Sequence, residues 1–200
     1  LIITNHHVIR NARSINIRFP ANKNLYTANI EARDQITDIA VLKIANNYNL
    51  NISIPFQKNN KRVRSGQDVY TIGYPLGDII GQKPRLSSGI VSSPFGVDDD
   101  PRYFQITNPI QSGNSGGIVF NNSGEAVGII VASINDEYVL SATGTIAQNL
   151  NFAIKFDYVE ALLNTIGCKI EYIKYPGESI KLEDLVEYIE PVTCQILTKL

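Results

Sequence analysis

The chain has 200 residues, of which 44% are hydrophobic and 18% are charged, and its formal net charge is −1. This composition is typical of one folded domain, or of one domain with an appendage, and it excludes a disordered chain. No basic surface stands out and the longest apolar runs are strand-sized, so we expect no nucleic-acid partner and no membrane span.

Short extended segments dominate the first three quarters of the chain. Residues 14–19 (SINIRF) alternate apolar and polar side chains, as in a strand that is buried on one face. Further segments of this kind are LYTANIEA, DIAVLKIA, DVYTIGY, PRLSSGIVSS, RYFQITN, GGIVF, AVGIIVASI and LNFAI. Turn residues separate them, and no helix is long enough for a parallel crossover. The pattern therefore predicts an all-β fold, either a sandwich or barrels.

After the last of these strands the pattern changes. Residues 156–167 carry apolar side chains at helical spacing and end at a glycine, which suits a helix C-terminus. Residues 168–176 (CKIEYIKYP) predict a strand, and Ser179 precedes a second amphipathic helix over 180–189. Cysteines occur only at two positions near the end of the chain, too few for a disulfide scaffold, and they predict one bridge or none.

The stretch NPIQSGNSGGIVF surrounds Ser115 with glycines. Such a stretch makes either a plain hairpin turn or a reactive hydroxyl beside accessible backbone amides. A serine nucleophile needs a base, and histidine is the side chain that suits this task at neutral pH. Both histidines, His6 and His7, are adjacent in a segment that we predict to be extended, where neighbouring side chains diverge. His7 directly precedes Val8 and is the predicted base, whereas His6 is predicted to be a surface residue.

A carboxylate is needed to orient the imidazole. Asp38 precedes the apolar run IAVLKI and is the predicted partner, with Asp34 in the preceding polar turn as the alternative. Adjacent histidines lack the spacing of metal ligands, and no cysteine or HExxH pattern joins them. We therefore predict neither a metal nor a cofactor.

Three motifs in chain order, TNHHV, DIAVLKI and GNSGG, resemble those of the trypsin-like serine peptidases, in particular the HtrA/Deg branch. VYTIGYPLG, LSSGIVSS, GEAVGI and LNFAI extend the resemblance over residues 1–166. It implies two six-stranded antiparallel β-barrels, followed by a C-terminal helix and a short α/β tail. It also implies a triad of His7, Asp38 and Ser115 between the barrels, with the amides of Gly113 and Ser115 as the oxyanion hole.

The resemblance also bears on specificity. Ile110, Ile134 and Leu150 match the positions that line the primary substrate pocket in this branch, and all three are aliphatic. An apolar wall would leave a Lys or Arg charge without a polar partner, which is energetically costly. Cleavage after small or medium aliphatic residues is therefore expected. Asn114 stands where trypsin has an aspartate, and an asparagine cannot pair with a new amino terminus.

Two departures from the branch concern domain organisation. The strand that the resemblance implies before LIITN is absent from this chain, which predicts an open barrel edge. Residues 167–200 are too short for the PDZ domain of the branch. We expect residues 1–166 to form the peptidase domain and residues 167–200 to form an extension with a strand and an amphipathic helix.

The expected function is a serine endopeptidase that acts on polypeptides through an acyl-enzyme, in protein quality control or regulated proteolysis. The resemblance allows a homo-oligomer and favours an extracytoplasmic location, periplasmic or secreted. The alternative is a catalytically silent or autoinhibited peptidase-like module that binds peptides or partner subunits through the same cleft.

Overall fold

The computed structural model describes residues 1–20, 24–45, 62–75, 81, 83–131, 150–172 and 181–199. The strands in these ranges are β1 (Ile2–Asn5), β2 (Ser14–Arg18), β3 (Tyr26–Asp34), β4 (Ile39–Ile44), β5 (Asp68–Gly73), β6 (Arg85–Ser93), β7 (Tyr103–Ile106), β8 (Ile118–Phe120), β9 (Ala126–Val131), β10 (Asn151–Lys155) and β11 (Gln195–Lys199). The helices are α1 (His6–Ile9), α2 (Phe156–Thr165) and α3 (Leu182–Ile189).

The strands form two antiparallel sheets. Strands β5 to β10 close a barrel of six strands, in the order β10-β7-β6-β5-β8-β9. The other sheet has five strands in the described part of the chain, in the order β1-β4-β3-β2-β11. The all-β class predicted from the sequence is confirmed. One closed six-stranded barrel is present as predicted, but in the described part of the chain the other predicted barrel is an open sheet of five strands.

The end of the chain differs from its predicted form. The described part of the predicted strand, residues 168–172, has no regular structure, and the remainder lies outside the described residues. A strand instead forms at β11, which pairs antiparallel with β2 so that Ile196 faces Ile17. The Arg18 guanidinium donates two hydrogen bonds to Gln195 Oε1, at 2.9 and 2.6 Å. One edge of the first sheet is thereby covered by the end of the chain.

Strand β4 explains how the two sheets are held together. Side chains alternate between the two faces of a strand. Ile39 and Val41 enter a core that they share with the barrel and the helices, whereas Ala40 and Leu42 enter the core of the first sheet. All four are 0% exposed, which accounts for the unbroken apolar run in the sequence. The residue just before β4 therefore lies at the junction of the two sheets.

The two longer helices agree with their predicted positions and extend the shared core. Val159 and Leu163 of α2 and Leu185 and Ile189 of α3 are buried in it, next to residues of the barrel. Gly167 ends α2 with φ +69°, and the Cys168 amide donates to the Leu163 carbonyl at 3.0 Å.

Neither of the described cysteines forms a disulfide, which leaves Cys168 and Cys194 as free thiols. None of the described helices has both the length and the apolar character that crossing a bilayer requires.

Candidate active site

The turn between β3 and β4, residues 35–38, presents Asp38 in an unusual backbone conformation. Asp38 has φ +55°, in the left-handed region that costs free energy for a residue with a Cβ. Its carbonyl accepts hydrogen bonds from the Asn5 side-chain amide and from the His6 backbone amide, both at 3.1 Å. These two donors, at the junction of β1 and α1, hold the turn against the first sheet.

The carboxylate of Asp38 is directed at His7. Asp38 Oδ2 lies 2.6 Å from His7 Nδ1, and Asp38 Oδ1 accepts the His7 backbone N–H at 2.8 Å. The His7 side chain is 35% exposed and that of Asp38 is 20% exposed. With the carboxylate ionised, Nδ1 carries the ring proton, so Nε2 of the neutral imidazole is a hydrogen-bond acceptor.

The predicted surface location of His6 is wrong. His6 and His7 lie in the short helix α1 and not in an extended segment, and His6 is buried, with 9% of its surface exposed. A four-residue helical turn is too short to leave a periodic pattern in the sequence. The backbone amide of His6, rather than its ring, contributes to this site through the Asp38 carbonyl.

Asp34, the alternative to Asp38, has a different role. Its carboxylate accepts the Ile36 amide at 2.9 Å and the Thr37 hydroxyl at 2.7 Å, and so stabilises the turn. The Thr37 hydroxyl holds the pKa of Asp34 below its ordinary value of 3.8, because the hydrogen bond favours the ionised carboxylate. Asp38, and not Asp34, is the carboxylate that contacts His7 in the structure.

Residues 112–117, called here the serine loop, have a distinctive set of backbone amides. The amides of Asn114, Gly116 and Gly117 donate to the carbonyls of Gln111, Ile130 and Asn114, respectively. No hydrogen bond joins the amides of Gly113 and Ser115 to any described residue. Gly113 has φ +95°, a conformation that glycine adopts without strain. Two donors of this loop, one of them the amide of Ser115 itself, therefore have no acceptor among the described residues.

Gly116 brings the serine loop against the first sheet. It has φ +79°, and a Cβ at this position would lie 2.5 Å from Thr4 Oγ1 and 2.9 Å from Thr4 Cα. Only a glycine permits this approach. The contact sets the distance between the serine loop and the segment that leads directly into His7.

A cavity of about 550 Å³ connects these groups. His7 and Ser115 both line it, together with Gly113 and Thr4. Further lining residues, mostly apolar, are Ile2, Ile3, Ile72, Ile118, Ile129, Val192, Thr193, Cys194, Ile196 and Leu197. The contribution of the last five was not predicted, because only the pairing of β11 with β2 brings the end of the chain to this place.

Two residues of the cavity wall, Tyr74 and Cys194, and one contact outside the cavity describe the surroundings of the site. Tyr74 donates a hydrogen bond to the Thr193 carbonyl at 3.0 Å, and burial raises the pKa of Tyr74 above its ordinary value. Burial likewise raises the pKa of Cys194 to about 12, so this residue is a neutral thiol at physiological pH. Arg102, paired with Asp100, donates to the Ile36 carbonyl at 3.0 Å and connects the barrel to the Asp38 turn.

The predicted substrate-pocket residues are not all brought together in the described chain. Ile110 is half-buried and packs against the core of the barrel, and Leu150 is half-buried. Neither is among the residues that line the cavity, and Ile134 lies outside the described residues. Within the same part of the chain, no group of three or more His, Cys, Asp or Glu side chains is arranged to hold a metal ion.

Comparisons with known proteins place the chain in a family. The family model described as a trypsin-like peptidase domain matches residues 1–129. An HtrA-like serine protease of Staphylococcus haemolyticus is 31% identical over 94% of this chain and 29% of its own length. The corresponding protein of Staphylococcus aureus (strain NCTC 8325) is 29% identical over 92% of this chain and 24% of its own length. An uncharacterized protein of Sinorhizobium fredii, y4bJ, is 32% identical over 83% of this chain and 25% of its own length.

A solved structure also resembles this chain. The crystal structure of a serine endoprotease from Yersinia pestis matches 82% of this chain and 52% of its own, with a TM-score of 0.63 and 28% identity. The chain belongs to the trypsin-like peptidase family. Within that family it is a member of the HtrA-like branch, and it spans about a quarter of the length of the curated relatives described above.

Proposed function

We propose that this protein is a serine endopeptidase in which Ser115 is the nucleophile, His7 the general base and Asp38 the group that orients His7. The observation that carries the proposal is the 2.6 Å contact between His7 Nδ1 and Asp38 Oδ2, at the edge of the cavity that Ser115 also lines. Since Nδ1 is engaged by the carboxylate, Nε2 is the nitrogen available to the serine.

The reaction has two halves. His7 Nε2 takes the Ser115 hydroxyl proton as Oγ attacks the peptide carbonyl, and Asp38 stabilises the resulting imidazolium. His7 then gives that proton to the departing amine, which leaves an ester between Ser115 and the acyl part of the substrate. Water, deprotonated by His7, attacks the ester, and the proton returns to Ser115 as the acid product leaves.

The amides of Gly113 and Ser115 are the proposed oxyanion hole. Support comes from their lack of acceptors among the described residues, while the other amides from 114 to 117 are engaged. Donors that are already oriented stabilise the charge of the tetrahedral intermediate without reorganisation. Loss of one such donor typically raises the barrier by about 2.7–4 kcal/mol.

We further propose aliphatic specificity, with Ile110, Ile134 and Leu150 as the pocket residues. This part of the proposal rests on the sequence positions of the three side chains and on the cost of leaving a Lys or Arg charge against them. Asn114 cannot pair with an amino terminus as an aspartate can, so activation by clipping is not part of the proposed mechanism.

We base the proposed biological role on the HtrA-like branch. Polypeptides are the substrate class of the family, and we propose protein quality control or regulated proteolysis, in an extracytoplasmic compartment and as a homo-oligomer. We assign residues 1–166 to the peptidase domain and residues 167–200 to an extension that supplies part of the cavity wall.

A catalytically silent or autoinhibited module that binds peptides or subunits is the second candidate. The observation that favours it is the apolar wall of the cavity, to which the end of the chain contributes Val192, Ile196 and Leu197. Such a wall would bind an apolar peptide whether or not hydrolysis followed.

A fluorophosphonate probe, which reacts only with an activated serine, distinguishes the two candidates. We expect the wild-type protein to be labelled at Ser115 and the Ser115→Ala variant to remain unlabelled. Equal labelling of both would refute the peptidase proposal, and an unlabelled wild-type protein that still binds apolar peptides would favour the silent module.

A further inference from the structure

We propose that Asn5 is a positioning residue for this site, which holds the main chain of Asp38 so that its carboxylate meets His7. The proposal rests on the proposed function for its catalytic consequence, but the positioning itself concerns only the geometry of three residues. Asn5 belongs to the TNHHV motif, but the sequence analysis assigns it no role.

The first observation is the location of the Asn5 side chain. Asn5 ends β1, is 0% exposed, and pairs across the sheet with Ile39, the first residue of β4. Its Nδ2 donates to the Asp38 carbonyl at 3.1 Å. The donor is therefore fixed by a buried strand on one side and reaches the residue that directly precedes the neighbouring strand.

The second observation is the backbone conformation of Asp38. At φ +55° the residue is in a region that a side chain with a Cβ seldom occupies. Such a conformation persists only where the surroundings impose it. The direction of the Asp38 side chain depends on this φ, because rotation about N–Cα moves the Cβ and the carboxylate together. A relaxed turn would carry Oδ2 away from the His7 ring.

The third observation concerns the oxygen of the Asn5 side-chain amide. Asn5 Oδ1 is buried and has no hydrogen-bond partner among the described residues. An unpaired buried oxygen destabilises the fold, and an apolar side chain of the same size would avoid that cost. The Asn5 side-chain nitrogen does have a partner, and among the described residues that partner is the Asp38 carbonyl.

The experiment compares the Asn5→Leu variant, close to Asn in size and without polar atoms, with the wild-type protein. Two readouts follow the geometry: the kcat and KM for an aliphatic peptide, and the proton NMR signal of His7 Nδ1–H in protein labelled with 15N-histidine. The signal is assigned by its absence in His7→Gln. We expect kcat to fall about 10- to 100-fold, KM to change little and the Nδ1–H signal to shift or disappear.

Asn108→Leu is the matched control. Asn108 is also 0% exposed, and its Nδ2 donates to the carbonyls of Val69 and Ser87 at 3.1 Å, but it lies in the barrel that carries neither His7 nor Asp38. Asn5 and Asn108 are alike in having a buried Oδ1 without a partner among the described residues, so stability does not distinguish the two substitutions. We expect Asn108→Leu to keep the wild-type His7 Nδ1–H signal and Asn5→Leu to alter it.

Wild-type values of both kcat and the His7 signal in Asn5→Leu would overturn the proposal. If Asn5→Leu does not fold, Asn5→Asp keeps the shape and replaces the donor with an acceptor, and an unchanged His7 signal there would overturn it equally. If the wild-type protein has no peptidase activity, the proposed function fails. The His7 signal still decides whether Asn5 positions Asp38.

Discussion

His7 contacts both carboxylate oxygens of Asp38, with its ring nitrogen at 2.6 Å from Oδ2 and its backbone amide at 2.8 Å from Oδ1. This two-point contact prevents the carboxylate from rotating without losing a charge-assisted hydrogen bond. It ties the start of α1 to the turn before β4, so the orientation of the imidazole is set by the backbone of the first sheet.

The first prediction concerns Asp38→Asn. An asparagine keeps the shape of the side chain, but its amide donates to His7 Nδ1 and leaves the ring proton on Nε2. A protonated Nε2 cannot accept a hydrogen bond from the Ser115 hydroxyl. We expect kcat for an aliphatic peptide to fall about 10,000-fold, with an unfolding midpoint in urea close to that of the wild-type protein. Asp34→Asn is the control, because the hydrogen bonds of this carboxylate to described residues lie within the turn. It should retain most of the activity. Comparable loss in both variants would contradict the assignment.

The second prediction concerns Gly116. Alanine here would combine a positive φ of +79° with a Cβ 2.5 Å from Thr4 Oγ1. We expect a loss of unfolding free energy of about 2 kcal/mol or more, together with slower fluorophosphonate labelling of Ser115. Gly66→Ala separates the two causes, because Gly66 has φ +81° and its Cβ would meet nothing within 4 Å. Gly66→Ala should lose about 1 kcal/mol and leave labelling unchanged. Similar effects in both variants would argue against the contact with Thr4.

The third prediction is the pH dependence of the Asp34 turn. The pKa of Asp34 in the folded protein lies below its ordinary value of 3.8, so folding favours the ionised carboxylate. The contribution of Asp34 to the free energy of unfolding is therefore present above pH 3.8 and is lost as the pH falls through the lower pKa of the folded protein. We expect Asp34→Ala to cost about 1–2 kcal/mol at pH 7, and the cost to shrink progressively below about pH 4. Urea unfolding of both proteins across this range measures it. Gln35→Ala, in the same turn but uncharged, should have a cost independent of pH.

The fourth prediction tests the contribution of β11. Ile196 packs against the core of the first sheet and also lines the cavity. Because the side chain is half-buried, Ile196→Ala should lower the unfolding free energy by about 1–2 kcal/mol. It should also change the KM for aliphatic peptides, since the wall of the cavity recedes. Thr198→Ala, at an exposed position of the same strand, should affect neither quantity. An unchanged KM in Ile196→Ala would show that the end of the chain does not contact substrate.

The sequence predicted most of the strands because each has its own alternation or apolar run. The same local signals predicted α2, whose apolar spacing and final Gly167 are complete within one segment. The pairing of His7 with Asp38 was inferred from residue types and motif order, which state the chemistry needed but not the distance.

Features that depend on distant parts of the chain were missed. Strand β11 forms because Gln195 meets Arg18, 177 positions earlier, and five residues carry too little periodicity to reveal that pairing. The burial of His6 was missed because the short helix α1 forms where β1 meets the Asp38 turn. The positive φ of Asp38 and its hydrogen bond from Asn5 likewise follow from packing between strands and not from any local pattern.

The most direct test is a crystal structure of the protein after reaction with a peptidyl phosphonate that carries an aliphatic side chain. We predict a covalent bond to Ser115 Oγ, with His7 Nε2 within about 2.6–3.2 Å of Ser115 Oγ. A phosphonate oxygen should lie within about 2.7–3.1 Å of the amide nitrogens of Gly113 and Ser115. A phosphonate bound to another residue, or a His7 ring directed away from Ser115 in the adduct, would contradict the proposed mechanism.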